Sequence, residues 1–150
     1  MKDVSIYIYT QFHGSLSNGS GIYHIIWETT VMRHGYSEPY TLKKIERLEN
    51  VTKNKLDLLA LREALEHMIK PSNITIYTKS QYVMSAINNG WIDSWIASNF
   101  RKKGKEVKHA DIWKSVAESI NQHNIVVLQA DQTEYTNVQK FEIEKASVEK

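Results

Sequence analysis

The chain has 150 residues, 41% hydrophobic and 24% charged, with a formal net charge of +2 and no cysteine. That balance suits a single folded domain over residues 1–150 and excludes a disordered polyelectrolyte, a disulfide framework, a thiolate metal site and a cysteine nucleophile. No stretch nears the roughly 18 apolar residues of a membrane span, and the N-terminus alternates like a strand rather than a signal peptide, so a soluble cytoplasmic protein is expected.

Val4–Gln11 (VSIYIYTQ) alternates and is rich in β-branched and aromatic residues, which predicts a strand. Gly14–Gly21 (GSLSNGSG) reads as a turn. Ile22–Val31 is a second strand, and a third is expected between Met32 and Thr41, with Pro39 restricting it to an edge. Apolar residues recur at helical spacing over Lys53–Ile69, and Pro71 stops that helix. Asn73–Thr78 is a short strand. A helix follows over Ser80–Asn88, capped by Ser80 and ended by Gly90. Trp91–Phe100 is expected as a short helix, and Asp111 as the cap of another that runs to Gln122. Ile125–Gln129 reads as a buried strand and Thr136–Ala146 as a last helix, in a charged segment that continues to Lys150 and covers the sheet.

Three leading strands without intervening helices predict an antiparallel meander, and strands separated by helices predict parallel pairing. The expected fold is therefore α/β, a mixed five-stranded sheet with helices on both faces. The charge is uneven. Arg101–His109 (RKKGKEVKH) concentrates Arg101, Lys102, Lys103, Lys105, Lys108 and His109, a local field that attracts phosphates. The plainer reading is a solvated loop. The six histidines show no paired ligand spacing, and no phosphate-binding loop or nucleophile elbow is visible.

Several segments, in this order, resemble ribonuclease H of the bacterial type. They are the strand end IYTQ (Ile8–Gln11), NKLDLLALREAL (Asn54–Leu65), IYTKSQYV (Ile76–Val83), WIDSW (Trp91–Trp95), and the basic run followed by Asp111, Ile112 and Trp113. The resemblance implies the ribonuclease H-like fold. It also implies a chemistry in which two magnesium ions, held by four carboxylates, cleave the RNA strand of an RNA–DNA hybrid. Under that resemblance the first carboxylate position holds Gln11, whose amide brings no charge. The second holds Asp57. The third holds Lys79, whose ammonium offers no ligand and repels a divalent cation. The fourth falls on Phe141 by spacing from Asp131, or on Glu142 if the preceding loop differs by one residue. Lys79 is expected to pair with Asp57 in place of metal, and Mg²⁺ or Mn²⁺ is expected only if residual activity survives.

The resemblance also places Asn54 and Gln81 at minor-groove contacts. Tyr82, Trp91 and Trp95 fall beside the DNA strand, and Arg101, Lys102, Lys103, Lys105 and Lys108 on phosphates. Against this, Asn54 and Ser80 also read as helix caps and the tryptophans as core. Three functions follow. The first is a ribonuclease H-like pseudoenzyme that binds nucleic acid without cleaving it. The second is a protein-interaction scaffold on the same fold. The third is a residual hydrolase using Asp57, Glu142 and either Glu28 or Asp131.

Overall fold

The computed structural model describes residues 1–148, so the end of the charged segment at Lys150 lies outside the described residues. Strands β1 (Lys2–Gly14), β2 (Gly19–Arg33) and β3 (Tyr36–Val51) come first. They are followed by α1 (Lys53–Glu66), β4 (Ser72–Thr78), α2 (Gln81–Asn88) and α3 (Trp91–Ala97). Then come β5 (Arg101–Lys102), β6 (Lys105–Glu106), α4 (Ala110–Ile120), β7 (Asn124–Gln129) and α5 (Thr136–Val148). The main sheet has the order β3-β2-β1-β4-β7. β1, β2 and β3 pair antiparallel, and β4 pairs parallel with both β1 and β7. This is the mixed five-stranded sheet that the element order predicts.

Strand alternation divides β1 between two layers. Val4, Ile6 and Ile8 join the main core with Leu56, Leu61 and Leu65 of α1 and with Trp113 and Val116 of α4. Tyr7, Tyr9 and Gln11 point to the other face, where Gln139 of α5 donates to the Tyr7 carbonyl at 3.0 Å. α1 is buried between the sheet and α4, so Leu56, Leu58, Ala60, Leu61, Ala64 and Leu65 are all inside. Gly21 permits the close approach of α1 to the sheet: a Cβ there would lie 2.4 Å from Leu56 Cδ2 and 2.8 Å from the Gln11 carbonyl oxygen.

Four expectations need correction. β3 spans Tyr36–Val51 rather than Met32–Thr41: the turn falls at His34 and Gly35, both left-handed (φ 52° and 83°), as in a two-residue hairpin loop, so Met32 stays in β2, and pairing with β2 continues to Gly19↔Val51. The basic run is no plain loop. It is a two-stranded ribbon, β5 with β6, turned at Lys103 and Gly104 (φ 53° and 79°). α4 begins at Ala110 with His109 as its cap residue, which leaves Asp111 in the first turn beside the positive end of the helix. β7 lies at the sheet edge and exposes Val126 and Leu128, so it is not a fully buried strand.

Candidate nucleic-acid interface and the carboxylate positions

The C-terminal ends of β1 and β4 lie side by side where the chain leaves in opposite directions, β1 toward β2 and β4 onward to β7. A crevice at such a divergence is the usual ligand position in an open α/β sheet. Gln11, Asp57 and Lys79 all belong to its surroundings, but they do not converge.

Asp57 is 3% exposed in the second turn of α1. Its Oδ1 accepts from the Thr10 hydroxyl at 2.7 Å, and its Oδ2 accepts from Lys53 Nζ at 2.8 Å. The i,i+4 spacing on α1 puts Lys53 within reach. Asp57 therefore does not pair with Lys79. β4 alternates, so Lys79 continues the face of Thr75 and Tyr77, whereas Thr10 and Asp57 belong to the α1 face. The exposed Lys79 side chain lies with Nζ 5.5 Å from the centre of the Tyr9 ring. Gln11 is half-buried and lines a small cleft with His13, Ser20, Arg47 and Ser147.

α5 turns Thr136, Gln139 and Ile143 toward the sheet. Phe141, two residues from each of the latter pair, lies on the opposite side of the helix and is 62% exposed. Glu142 is half-buried, and its carboxylate draws the His24 pKa upward. The residue that meets β1 and β2 is Gln139, which sequence reading passed over. Its Nε2 lies within hydrogen-bond distance of the Tyr7 carbonyl, the His24 carbonyl and His24 Nδ1. A polar residue at a helical position between Thr136 and Ile143 was the available signal. Burial holds the His24 imidazole below its ordinary value; Glu142 opposes that shift and Lys43 reinforces it.

A second unread feature is a tyrosine cluster on the same sheet face. Tyr7 stacks on Tyr77 with ring centres 4.9 Å apart, and Tyr135 meets Tyr7 edge-on. The Tyr7 hydroxyl donates to Glu134 at 3.2 Å, and that of Tyr135 donates to Glu28. Burial, then the Glu134 bond, push the Tyr7 hydroxyl up to about 12. The bond to Glu28 is the main cause of the raised Tyr135 value, with burial second. Glu28 is thus held on the α5 face, away from Asp57.

Two clefts gather most of the residues expected to meet nucleic acid. One, of about 610 Å³, is lined by Trp91, Trp95, Arg101, Lys102 and Lys103 together with Ser94 and Ser98. Trp91 is 42% exposed there, which leaves a ring face free for stacking. The other, of about 550 Å³, brings Asn54, Lys53 and Lys108 together with the β1–β2 turn. Lys105 is exposed on the ribbon and Gln81 in the first turn of α2, outside both clefts. Tyr82 is half-buried, and its hydroxyl accepts from Trp113 Nε1 at 2.8 Å. Asn54 does not cap α1: Thr52 does, accepting from the Lys55 N–H, which leaves the Asn54 side chain exposed. Ser80 caps α2 as expected, accepting from the Val83 N–H.

The sequence pattern of the family described as RNase H matches residues 6–131. Among curated relatives, the ribonuclease H of Caldicellulosiruptor saccharolyticus is 38% identical over 78 residues, covering 51% of this chain and 54% of its own length. The ribonuclease HI of Helicobacter pylori is 42% identical over 80 residues, covering 53% and 52%. The chain thus spans about half the length of the curated relatives it matches. The fold is similar to that of LC9-RNase H1, described as a type 1 RNase H with the type 2 active-site motif (TM-score 0.78, 14% identity, 98% of this chain and 72% of that one). It is also similar to LC11-RNase H1, solved in complex with an RNA/DNA hybrid (TM-score 0.55, 14% identity, 95% and 99%). The architecture is that of the ribonuclease H-like α/β proteins, and the chain belongs to the RNase H family.

The divalent ions of that family's chemistry need several converging oxygen ligands that carry charge. At the four positions that the resemblance marks stand one amide, one carboxylate engaged at both oxygens, one ammonium and, at the fourth, an exposed Phe141 or a half-buried Glu142. No group of three His, Asp or Glu side chains able to hold a metal occurs among the described residues. These side chains do not fit a pair of magnesium ions.

Proposed function

We propose that this chain binds nucleic acid of the RNA–DNA hybrid class and does not hydrolyse it. The observation that carries the reading is a division within the molecule. The cationic and aromatic clefts hold Trp91, Trp95, Arg101, Lys102, Lys103, Asn54 and Lys108, whereas Gln11 and Lys79 stand at two of the four positions where the resemblance expects carboxylates. Lysine and arginine bind phosphates by charge alone, and aromatic faces stack on bases of any sequence. Affinity thus survives without the ligands that catalysis requires. The relatives are ribonucleases H, and one fold neighbour holds an RNA/DNA hybrid, which supports hybrid as the ligand class.

The test is a labelled RNA–DNA hybrid incubated with the protein and Mg²⁺ or Mn²⁺, beside a binding titration at low and high salt. Binding that weakens steeply with salt, with the hybrid left intact, is the expected result. Cleavage that EDTA stops and Asp57→Asn abolishes would overturn the reading in favour of a rebuilt hydrolase. Neither binding nor cleavage would transfer the proposal to a protein-interaction module on the same fold.

A further inference from the structure

The ammonium of Lys79 stands at the mouth of the β1/β4 crevice with no acidic partner among the described residues. Lys53, on the α1 side, is committed to Asp57. Lys79 rests 5.5 Å from the Tyr9 ring centre, a contact that locates the charge without neutralising it. Asp131 follows Ala130, whose N–H bonds the Thr78 carbonyl at 3.0 Å, yet no ion pair joins it to Lys79. Gln11 adds an uncharged amide. The mouth of the crevice therefore carries a positive charge that no ion pair neutralises among the described residues.

A divalent cation and a protein ammonium answer the same electrostatic need, that of an anion held at the strand ends. We infer that Lys79 is a phosphate-binding residue, which seats a backbone phosphate of the bound nucleic acid in the β1/β4 crevice without any divalent ion. The inference rests on the nucleic-acid reading above and assigns the crevice a role within it. Lys79 is exposed one residue beyond the end of β4, which leaves its ammonium accessible to a ligand. A dissolved magnesium ion then competes with Lys79 for the phosphate instead of bridging to it.

The experiment is a titration of a fluorescein-labelled RNA–DNA hybrid by fluorescence anisotropy, in EDTA and in Mg²⁺ at equal ionic strength, over a series of salt concentrations. The expected Kd in EDTA equals or betters that in Mg²⁺. Lys79→Gln weakens binding roughly three- to tenfold and lowers the log–log salt slope by about 0.9. Lys79→Arg keeps both the affinity and the slope. Circular dichroism confirms that each variant is folded. Wild type that binds only with Mg²⁺, or Lys79→Gln that matches wild type in Kd and slope, overturns this inference and leaves the nucleic-acid reading standing. Wild type that binds no hybrid at any salt overturns both.

Discussion

Asp57 carries its charge inside the protein, and its two hydrogen bonds differ in worth. The Thr10 bond is shielded by the packing of α1 on β1, whereas the Lys53 side chain is 59% exposed and its attraction is weakened by water. Asp57→Ala leaves the Thr10 hydroxyl without its acceptor. We expect a loss of about 1–3 kcal/mol in urea unfolding. Lys79→Met is expected to stay within about 0.5 kcal/mol of wild type, since Lys79 is a surface cation that forms no salt bridge among the described residues. His24 makes a separate prediction. Burial holds its pKa below the ordinary value of about 6.5, so the native state keeps it neutral while the unfolded chain takes up a proton. The unfolded state therefore binds more protons in that range. Stability is complete above about pH 6.5 and falls as the pH drops below it. His109 is shifted the same way, by burial first and then by Lys108 and Lys55. Urea midpoints measured from about pH 7.5 to about pH 5.5 should decline for wild type, less for His24→Gln, and least when His109→Gln is added.

Helix and strand spacing made most elements legible, because α1 and α2 bury a face against the sheet, α4 buries one against α1, and each keeps an apolar pattern. The failures share a cause. β3 forms an edge with most of its side chains in solvent, so KKIERLEN carries no alternation to read, and only the left-handed His34–Gly35 pair marks where it begins. The β5–β6 ribbon is too short and too charged for any period. The site was legible in part. The resemblance led to Gln11, Asp57 and Lys79 and to the cationic cleft. Which side chain Asp57 would choose depended on which sheet face α1 covers, which strand alternation alone does not tell. The closeness of α1 to the sheet rests on one position in β2. Gly21→Ala drives a methyl into Leu56 and into the Gln11 carbonyl. It should cost about 1–3 kcal/mol by overpacking, measured as a lowered urea midpoint.

Over the whole molecule, a net charge of +2 conceals a strong polarity. The cations of the ribbon are gathered in one stretch, and Asp3, Glu28 and Glu134 line a separate cleft. Lys102 and Lys103 are exposed at the ribbon turn and support no packing. Lys102→Glu with Lys103→Glu should therefore leave the melting temperature unchanged and weaken hybrid binding, most visibly at low salt. A binding loss accompanied by unfolding would point instead to a structural role for the ribbon.

The aromatic residues beside that ribbon also have an optical consequence. Trp91 and Trp95 have ring centres 6.3 Å apart, and Trp95 and Trp113 5.2 Å apart, while Trp27 lies at the far side of the core against His67. Three of the four indoles are thus a coupled chromophore at the cationic end, and one is a distant bystander. Excitation absorbed by buried Trp113 can pass through Trp95 to the exposed Trp91, where a stacked base would extinguish it. Intrinsic emission then reads the interface directly: a docked hybrid quenches it, Trp27→Phe leaves the quenched signal in place, and Trp91→Phe removes most of it.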